Sequence, residues 1–165
     1  MSDWNAIRQR HLALMETTAD ILTHVLTTVS GEQATTLRDG ADGWTVLEIL
    51  CHLRDFDIIF RERAIMMRDS EQPTLPAYDH EAMAVDRAYN QQNFAEVLGS
   101  LQSSRAQTHT VFAQLTAEQW ERAGIHPERG TFSMTDAVMQ VGLHDVTHIE
   151  QITRVLLQSI PQDDA

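Results

Sequence analysis

A chain of 165 residues with a formal charge of −12, and with arginine at all twelve basic positions, is long enough to bury a sizeable core as one domain spanning residues 1–165. Its acidity repels nucleic-acid phosphates and anionic membrane surfaces, so neither nucleic acid nor membrane is expected as a partner. Cys51 is the single cysteine, which excludes an intrachain disulfide; no apolar run resembles a signal peptide or reaches membrane-spanning length, and a cytoplasmic protein is expected.

The first helix is predicted from about Asp3, a good N-cap, to about Ser30, with Gly31 ending it. Ile7, Leu14, Ile21 and Val25 form its apolar stripe, with His11 on the same side. A polar connection follows to Gly43. The second helix opens on Thr45-Val-Leu-Glu48, a capping box in which threonine and glutamate satisfy each other's orphan amides, and runs to about Asp69. Val46, Leu53, Phe60 and Met67 mark its seam, with Ile49 and Phe56 alongside. Arg54, Arg61 and Arg68 recur every seven residues, as do Asp55, Glu62 and Asp69; that pattern predicts a solvated charged face. Asp57 and Arg61, at i and i+4, predict a surface ion pair.

Residues 70–92 form a long connection through Pro73 and Pro76, with a short helix near Glu81 to Ala88. The third helix is predicted from about Asn93 to Leu115. Thr116-Ala-Glu-Gln119 is another capping box, opening a short turn that carries Trp120. Gly124 to Gly130 is rich in helix breakers and is predicted as a loop. The last helix starts near Ser133, with Asp136 completing its cap, and reaches about Gln158. No segment alternates for long enough to predict a strand. The result is an all-α four-helix bundle whose long helices measure on the order of 35–40 Å. The connection after the second helix spans up to roughly 75 Å when extended, which permits a crossover and a parallel pairing of helices 2 and 3.

On the last helix Val141, His144, His148, Ile152 and Val155 share one face, apolar except for two imidazoles one turn apart. Buried histidines need partners, and a divalent metal would satisfy both rings at one point. A third ligand is available in His52, one turn before Phe56 at the border of the second helix's seam. The depths of the two positions suit a parallel or an antiparallel pairing. Spacing alone leaves core packing and metal binding both open, and His11, His24, His80, His109 and His126 are each expected to be hydrogen-bonded core residues. Glu48, Gln140 and Gln151 stand one turn from these histidines and are candidates to orient a ring or a bound water, although the capping role of Glu48 is favoured. Cys51 and Asp145 neighbour ligands in sequence but diverge from them by about 100° around the helix; Cys51 is expected to be a small core residue. His144-Asp-Val-Thr-His148 differs from the zinc-protease pattern His-Glu-x-x-His by one methylene at Asp145, and its third histidine lies on another helix, so a protease is not expected.

Trp44-Thr-Val-Leu-Glu48 leading into His52-Leu-Arg-Asp-Phe-Asp57 and Arg61, then Gly124-Ile-His-Pro-Glu-Arg-Gly-Thr-Phe-Ser-Met-Thr135, then His144-Asp-Val-Thr-His148-Ile-Glu-Gln-Ile152, together resemble the DinB/YfiT-like superfamily over most of the chain. The resemblance implies a bundle of up-down-down-up topology. It also implies a divalent metal, often nickel or zinc, at positions matching His52, His144 and His148. Activities in such a superfamily include metal-dependent hydrolysis of small molecules. They also include transfer of low-molecular-weight thiols such as bacillithiol or mycothiol, and thiol-dependent isomerisation of maleylpyruvate. A homodimer is implied as well. Three neutral imidazoles would leave a coordination position open, as in catalytic sites. The alternative is a non-catalytic metal-tied bundle acting as a stress-associated binding module.

Overall fold

The computed structural model describes residues 4–158. The first helix, α1 (Trp4–Leu26), buries Leu12, Met15, Thr18, Leu22 and Leu26. The expected stripe is turned aside, and Ile21 is 41% exposed. Thr18 explains the difference: a polar residue occupies the core face because its hydroxyl donates to Asp145 Oδ2 at 2.6 Å. The expected cap Asp3 lies outside the described residues. α1 ends four residues before Ser30 because Ser30 caps a new short helix, α2 (Gly31–Thr36), through a capping box with Gln33. Gly31 begins a helix here and does not end one.

Thr45 and Glu48 close the expected capping box at the start of α3 (Val46–Asp69), which buries Val46, Ile49, Leu53, Phe60 and Met67. A short α4 (His80–Asp86) interrupts the crossover, and α5 (Phe94–Ala113) starts at its N-cap Asn93. Thr116 caps α6 (Ala117–Trp120) through a box with Gln119. The predicted loop is instead an antiparallel hairpin of β1 (Ala123–His126) and β2 (Gly130–Ser133), with Gly124 opposite Phe132 and His126 opposite Gly130. Strands of four residues are too short to show alternation. Both glycines that read as breakers have positional roles. Gly130 takes φ +71° at the turn, and a Cβ on Gly124 would stand 2.9 Å from the Pro73 carbonyl oxygen. β1 is held on its other side by the crossover, with Ile125 N–H donating to Pro73 O at 2.8 Å and Leu75 N–H to Ile125 O at 2.9 Å. The last helix, α7 (Met134–Gln158), begins with Asp136 and Ser133 capping each other.

Side-chain pairs fix the directions of the long helices. Arg8 reaches Thr135 and Thr18 reaches Asp145, so α1 and α7 are parallel. Asp57 meets Ser104 and Arg61 meets Thr108, so α3 and α5 are parallel. Glu16 with His109, and Thr23 with Gln102, make α1 and α5 antiparallel. His52 against His148 and Phe60 against His144 make α3 and α7 antiparallel. The topology is up-down-down-up, with neighbours in the ring order α1, α7, α3, α5.

At the centre of the bundle the charged pattern departs from the solvated face expected for α3. Asp57 and Asp145 are at most 1% exposed and flank Arg105. Arg105 donates to Asp145 Oδ1 at 2.8 Å. Its Nε lies 3.0 Å from Asp57 Oδ1, an ion pair whose alignment is too poor for a hydrogen bond. Ser104 and Thr108 hydroxyls donate to Asp57 Oδ2 at 2.5 and 2.8 Å, while Arg61 is 3.7 Å away and donates to Ser104 Oγ. Thr18, Asp57, Arg105 and Asp145 thus bring all four long helices to one polar hub. Asp55, also expected on the surface, is buried beneath Arg54, Arg87 and the Tyr89 hydroxyl. α3 packs against α5, α7, α2 and the crossover, which leaves it little open surface.

Candidate metal centre

His52 projects from the second turn of α3, and His144 and His148 from successive turns of α7, into one cluster whose ligand nitrogens all lie within 4.8 Å of one another. His52 Nε2 is 2.9 Å from His144 Nε2. Aromatic rings form the surrounding wall. Trp44 lies 5.0 Å and Phe56 4.3 Å from the His52 ring, Phe56 stacks at 5.6 Å on His144, and Phe60 meets His144 edge-on at 5.3 Å. Burial in that wall, reinforced by the neighbouring imidazoles, pushes the His52 pKa down to about 3 and that of His144 lower still. Burial also lowers His148, against the opposing hydrogen bond of Gln151. All three rings are therefore neutral at pH 7, the form in which imidazole binds a metal.

His148 is oriented from behind. Its Nδ1 is 2.8 Å from Gln151 Oε1, and Gln151 Nε2 donates to Asp39 Oδ2 at 3.0 Å. Arg154 also donates to that carboxylate oxygen, at 3.1 Å. Because Asp39 accepts from the amide nitrogen, the amide oxygen faces the ring. The proton then belongs on Nδ1, and the Nε2 lone pair points into the cluster.

These atoms suit a metal ion. Tetrahedral zinc with Zn–N bonds of about 2.0–2.1 Å separates its nitrogens by roughly 3.3–3.4 Å. The cluster spans 2.9 Å to at most 4.8 Å, so small ring rotations suffice. His52 Nε2 and His144 Nε2 face each other at 2.9 Å between buried neutral rings, and an ion at the cluster would take both lone pairs, whereas the buried His52 Nδ1 has no hydrogen-bond partner and would not be reached by it. Among the described residues no carboxylate or thiolate joins the three nitrogens. Glu48 is held in its capping box, Asp145 turns to Arg105, and Cys51 is fully buried with its thiol 3.7 Å from the Tyr89 carbonyl. Burial pushes that thiol pKa up to about 12.

The cluster forms one wall of a cavity of about 540 Å³ whose other sides include Trp44, Phe56, His80, Gln140 and Arg129. A second lobe of about 550 Å³ adjoins it and shares Arg129, Gln140 and His144. Of the flanking residues singled out in the sequence, Gln151 holds a ligand candidate, Gln140 lines both lobes, and Glu48 serves the helix cap. His80 departs from the core role expected of it: it stands at the cavity mouth, its ring 5.9 Å from His52 and its side chain 54% exposed. His24 is exposed and His109 pairs with Glu16 at 3.1 Å, while His126 is buried beside Phe132. Asp39, Arg105 and Arg129 were not visible as site-related residues. Asp39 and Arg105 act through contacts with distant parts of the chain, and Arg129 meets the cavity only through the fold of the hairpin, none of which local spacing encodes.

The sequence pattern of the DinB superfamily matches residues 14–152. A protein of Oceanobacillus iheyensis, named for an inferred metal-dependent hydrolase activity, is 23% identical over 142 residues, which is 86% of this chain and 80% of that protein. YfiT from Bacillus subtilis, described as an inferred metal-dependent hydrolase with an unusual four-helix bundle topology, superposes with a TM-score of 0.82 at 23% identity, over 92% of this chain and 86% of its own. A mycothiol-dependent maleylpyruvate isomerase superposes with a TM-score of 0.77 at 15% identity, over 96% of this chain and 70% of its own. The family match takes in residues from all four long helices and all three clustered histidines, and the chain belongs to the DinB superfamily.

Proposed function

We propose that His52, His144 and His148 bind one divalent ion, zinc or nickel, and that the chain, one domain over 1–165, is a metal-dependent hydrolase acting on a small molecule. The observation carrying this reading is a set of three imidazole nitrogens on the wall of an open cavity of about 540 Å³ with no fourth protein ligand among the described residues. A structural site closes its coordination sphere with protein groups, whereas a catalytic one leaves a position facing the substrate. A purely structural tie is also unneeded, because the Asp57–Arg105–Asp145 hub already joins the four helices.

When bound, such an ion supplies Lewis-acid chemistry, polarising a substrate carbonyl and acidifying a water or thiol. The chain's own residues prepare the site for it. Gln151 and Asp39 hold His148 in one tautomer. Trp44, Phe56 and Phe60 pack against the rings and give the cavity beside them apolar walls. Gln140, one turn before His144, offers both a donor and an acceptor on the cavity wall. A second chemistry, conjugation of a low-molecular-weight thiol to an electrophile, is favoured by the adjoining lobe of about 550 Å³, which gives a second reactant its own space.

Metal analysis of the purified protein beside His52→Ala and His144→Ala tests the site. About one ion per chain in wild type, and loss in both variants, is expected; a metal-free wild type, or full retention by the variants, overturns it. Turnover of ester and electrophile panels with and without added thiol separates the chemistries. Thiol-independent hydrolysis is the expected result, and strict thiol dependence selects the transferase.

A further inference from the structure

Arg129 is the cation at the seam of the two lobes. It is the one arginine of the twelve that lines the histidine cavity, and it lines the adjoining lobe as well. Among the described residues its side chain has no hydrogen bond or ion pair, although most of the other arginines are engaged. Arg61 and Arg105 serve the hub, Arg54 and Arg87 serve Asp55, Arg154 serves Asp39, and Arg8 binds Thr135 and Glu121. An acidic chain leaves one guanidinium unpaired at the cavity that holds its three clustered histidines.

Arg129 is exposed, and the backbone that carries it is held. Arg129 sits in the turn between His126 and Gly130, and β1 of that hairpin is bonded on its far side to Pro73 and Leu75 of the crossover. None of the carboxylates lining the lobes pairs with it: Asp136 accepts from the backbone N–H and hydroxyl of Ser133, Glu81 accepts from Trp44 Nε1 at 3.3 Å, and Asp42 forms no ion pair with Arg129. His144 and Gln140 line the same two lobes as Arg129, so a small molecule filling them would border all three.

From this arrangement, and resting on the metal-dependent reading above, we propose that Arg129 determines specificity by binding a carboxylate on the substrate, at the end remote from the reacting group. A guanidinium offers a planar fork of donors that matches a carboxylate in a bidentate pair. Arg129 is the one arginine lining the lobes, beside the carboxylates Asp42, Glu81 and Asp136, so the only guanidinium there to meet a substrate carboxylate is its own. The net charge of −12 repels anions elsewhere on the surface, so a local cation is what admits an acidic substrate.

The test uses the full chain loaded with cobalt(II) and two thiols of equal shape, 3-mercaptopropionate and 3-mercaptopropanamide, with binding read from the sulfur-to-cobalt charge-transfer band. Wild type is expected to prefer the carboxylate by roughly five- to tenfold, as one charge-assisted contact supplies. Arg129→Gln abolishes the preference and Arg129→Glu inverts it. Arg129→Lys keeps part of it, and Arg10→Gln, which alters an arginine lining neither lobe, leaves it intact. Equal binding of the two thiols by wild type, or a preference that survives Arg129→Gln, overturns the proposal. A second arm is independent of metal: glutarate and glutaramide are titrated into the metal-free protein while the arginine Nε resonances are followed by NMR. A glutarate-selective shift confined to Arg129 supports the carboxylate site even if cobalt fails to bind, an outcome that would count against the metal reading alone. Shifts of equal size with both compounds overturn the carboxylate site.

Discussion

His148 and Gln151 lie one turn apart on α7 with Nδ1 2.8 Å from Oε1, and Gln151 passes that contact to Asp39 in the loop before α3. The ring is thus oriented by a chain of two polar side chains from different parts of the sequence. Outer groups of this type typically govern metal affinity by roughly 10–100-fold. Gln151→Leu is expected to weaken metal binding by that order while leaving the unfolding midpoint of the metal-free protein nearly unchanged. Competition with a chelating dye measures the first, and thermal unfolding the second. Undiminished affinity would show that His148 is held by its helix alone.

The hub supports a stability prediction of the opposite kind. Arg105→Met leaves Asp57 and Asp145 buried together without their cation. Removing one partner of a buried ion pair costs about 3–5 kcal/mol. Urea unfolding should show a loss of that size. Apolar replacement of all three residues, at matched volume, should recover much of it, because desolvation of the charges is removed along with their attraction.

Asp55 connects charge to pH. Burial opposes its ionisation, but hydrogen bonds from Arg54, Tyr89 and Arg87 outweigh burial and leave the pKa lowered. A carboxylate whose folded pKa lies below its unfolded value, near 3.9, contributes stability that is fully present above that value. The contribution is lost as pH falls through the folded pKa. Asp55→Asn should therefore destabilise the protein at neutral pH and flatten the dependence of stability on pH below about 4. Denaturant midpoints at closely spaced acid pH values give the comparison, and parallel curves for the two proteins would remove Asp55 from acid unfolding.

Cys51 has no accessible surface, and its thiol pKa is raised to about 12. Iodoacetamide at pH 8 should leave the native chain unmodified over hours and alkylate it promptly in guanidinium, with mass spectrometry counting the adducts. Rapid native labelling would indicate an opening between α3 and the Tyr89 turn.

Local signals in the sequence carry through to the structure wherever the physics is local. Thr45 and Glu48 cap α3 through contacts three residues apart, and His144 and His148 share a face because a helical turn puts them there. Ser30 carries the same kind of signal, yet Gly31 resembles a helix stop and masks it. The hub was hidden for a different reason. Asp57 and Arg61 look like a surface pair on their own helix, and only Arg105, more than forty residues away, draws Asp57 inward. His52 joins the pair on α7 through its position at the edge of an apolar seam, a weaker clue that the 2.9 Å approach of its Nε2 to His144 Nε2 strengthens. The hairpin leaves no local signal, because its order comes from pairing with the crossover and not from alternation.

The ring order α1, α7, α3, α5 also bears on how the molecule assembles. Chain-consecutive long helices α1 and α3, and likewise α5 and α7, stand at opposite corners of the bundle, so folding cannot proceed by zipping up successive hairpins. The contact between α1 and α7 closes a loop of most of the chain, a late and entropically costly event. Two of the three clustered histidines arrive with that closing helix. Until α7 packs against α3, His52 stands apart from the pair on α7, and an ion held by all three would report that the last helix has docked.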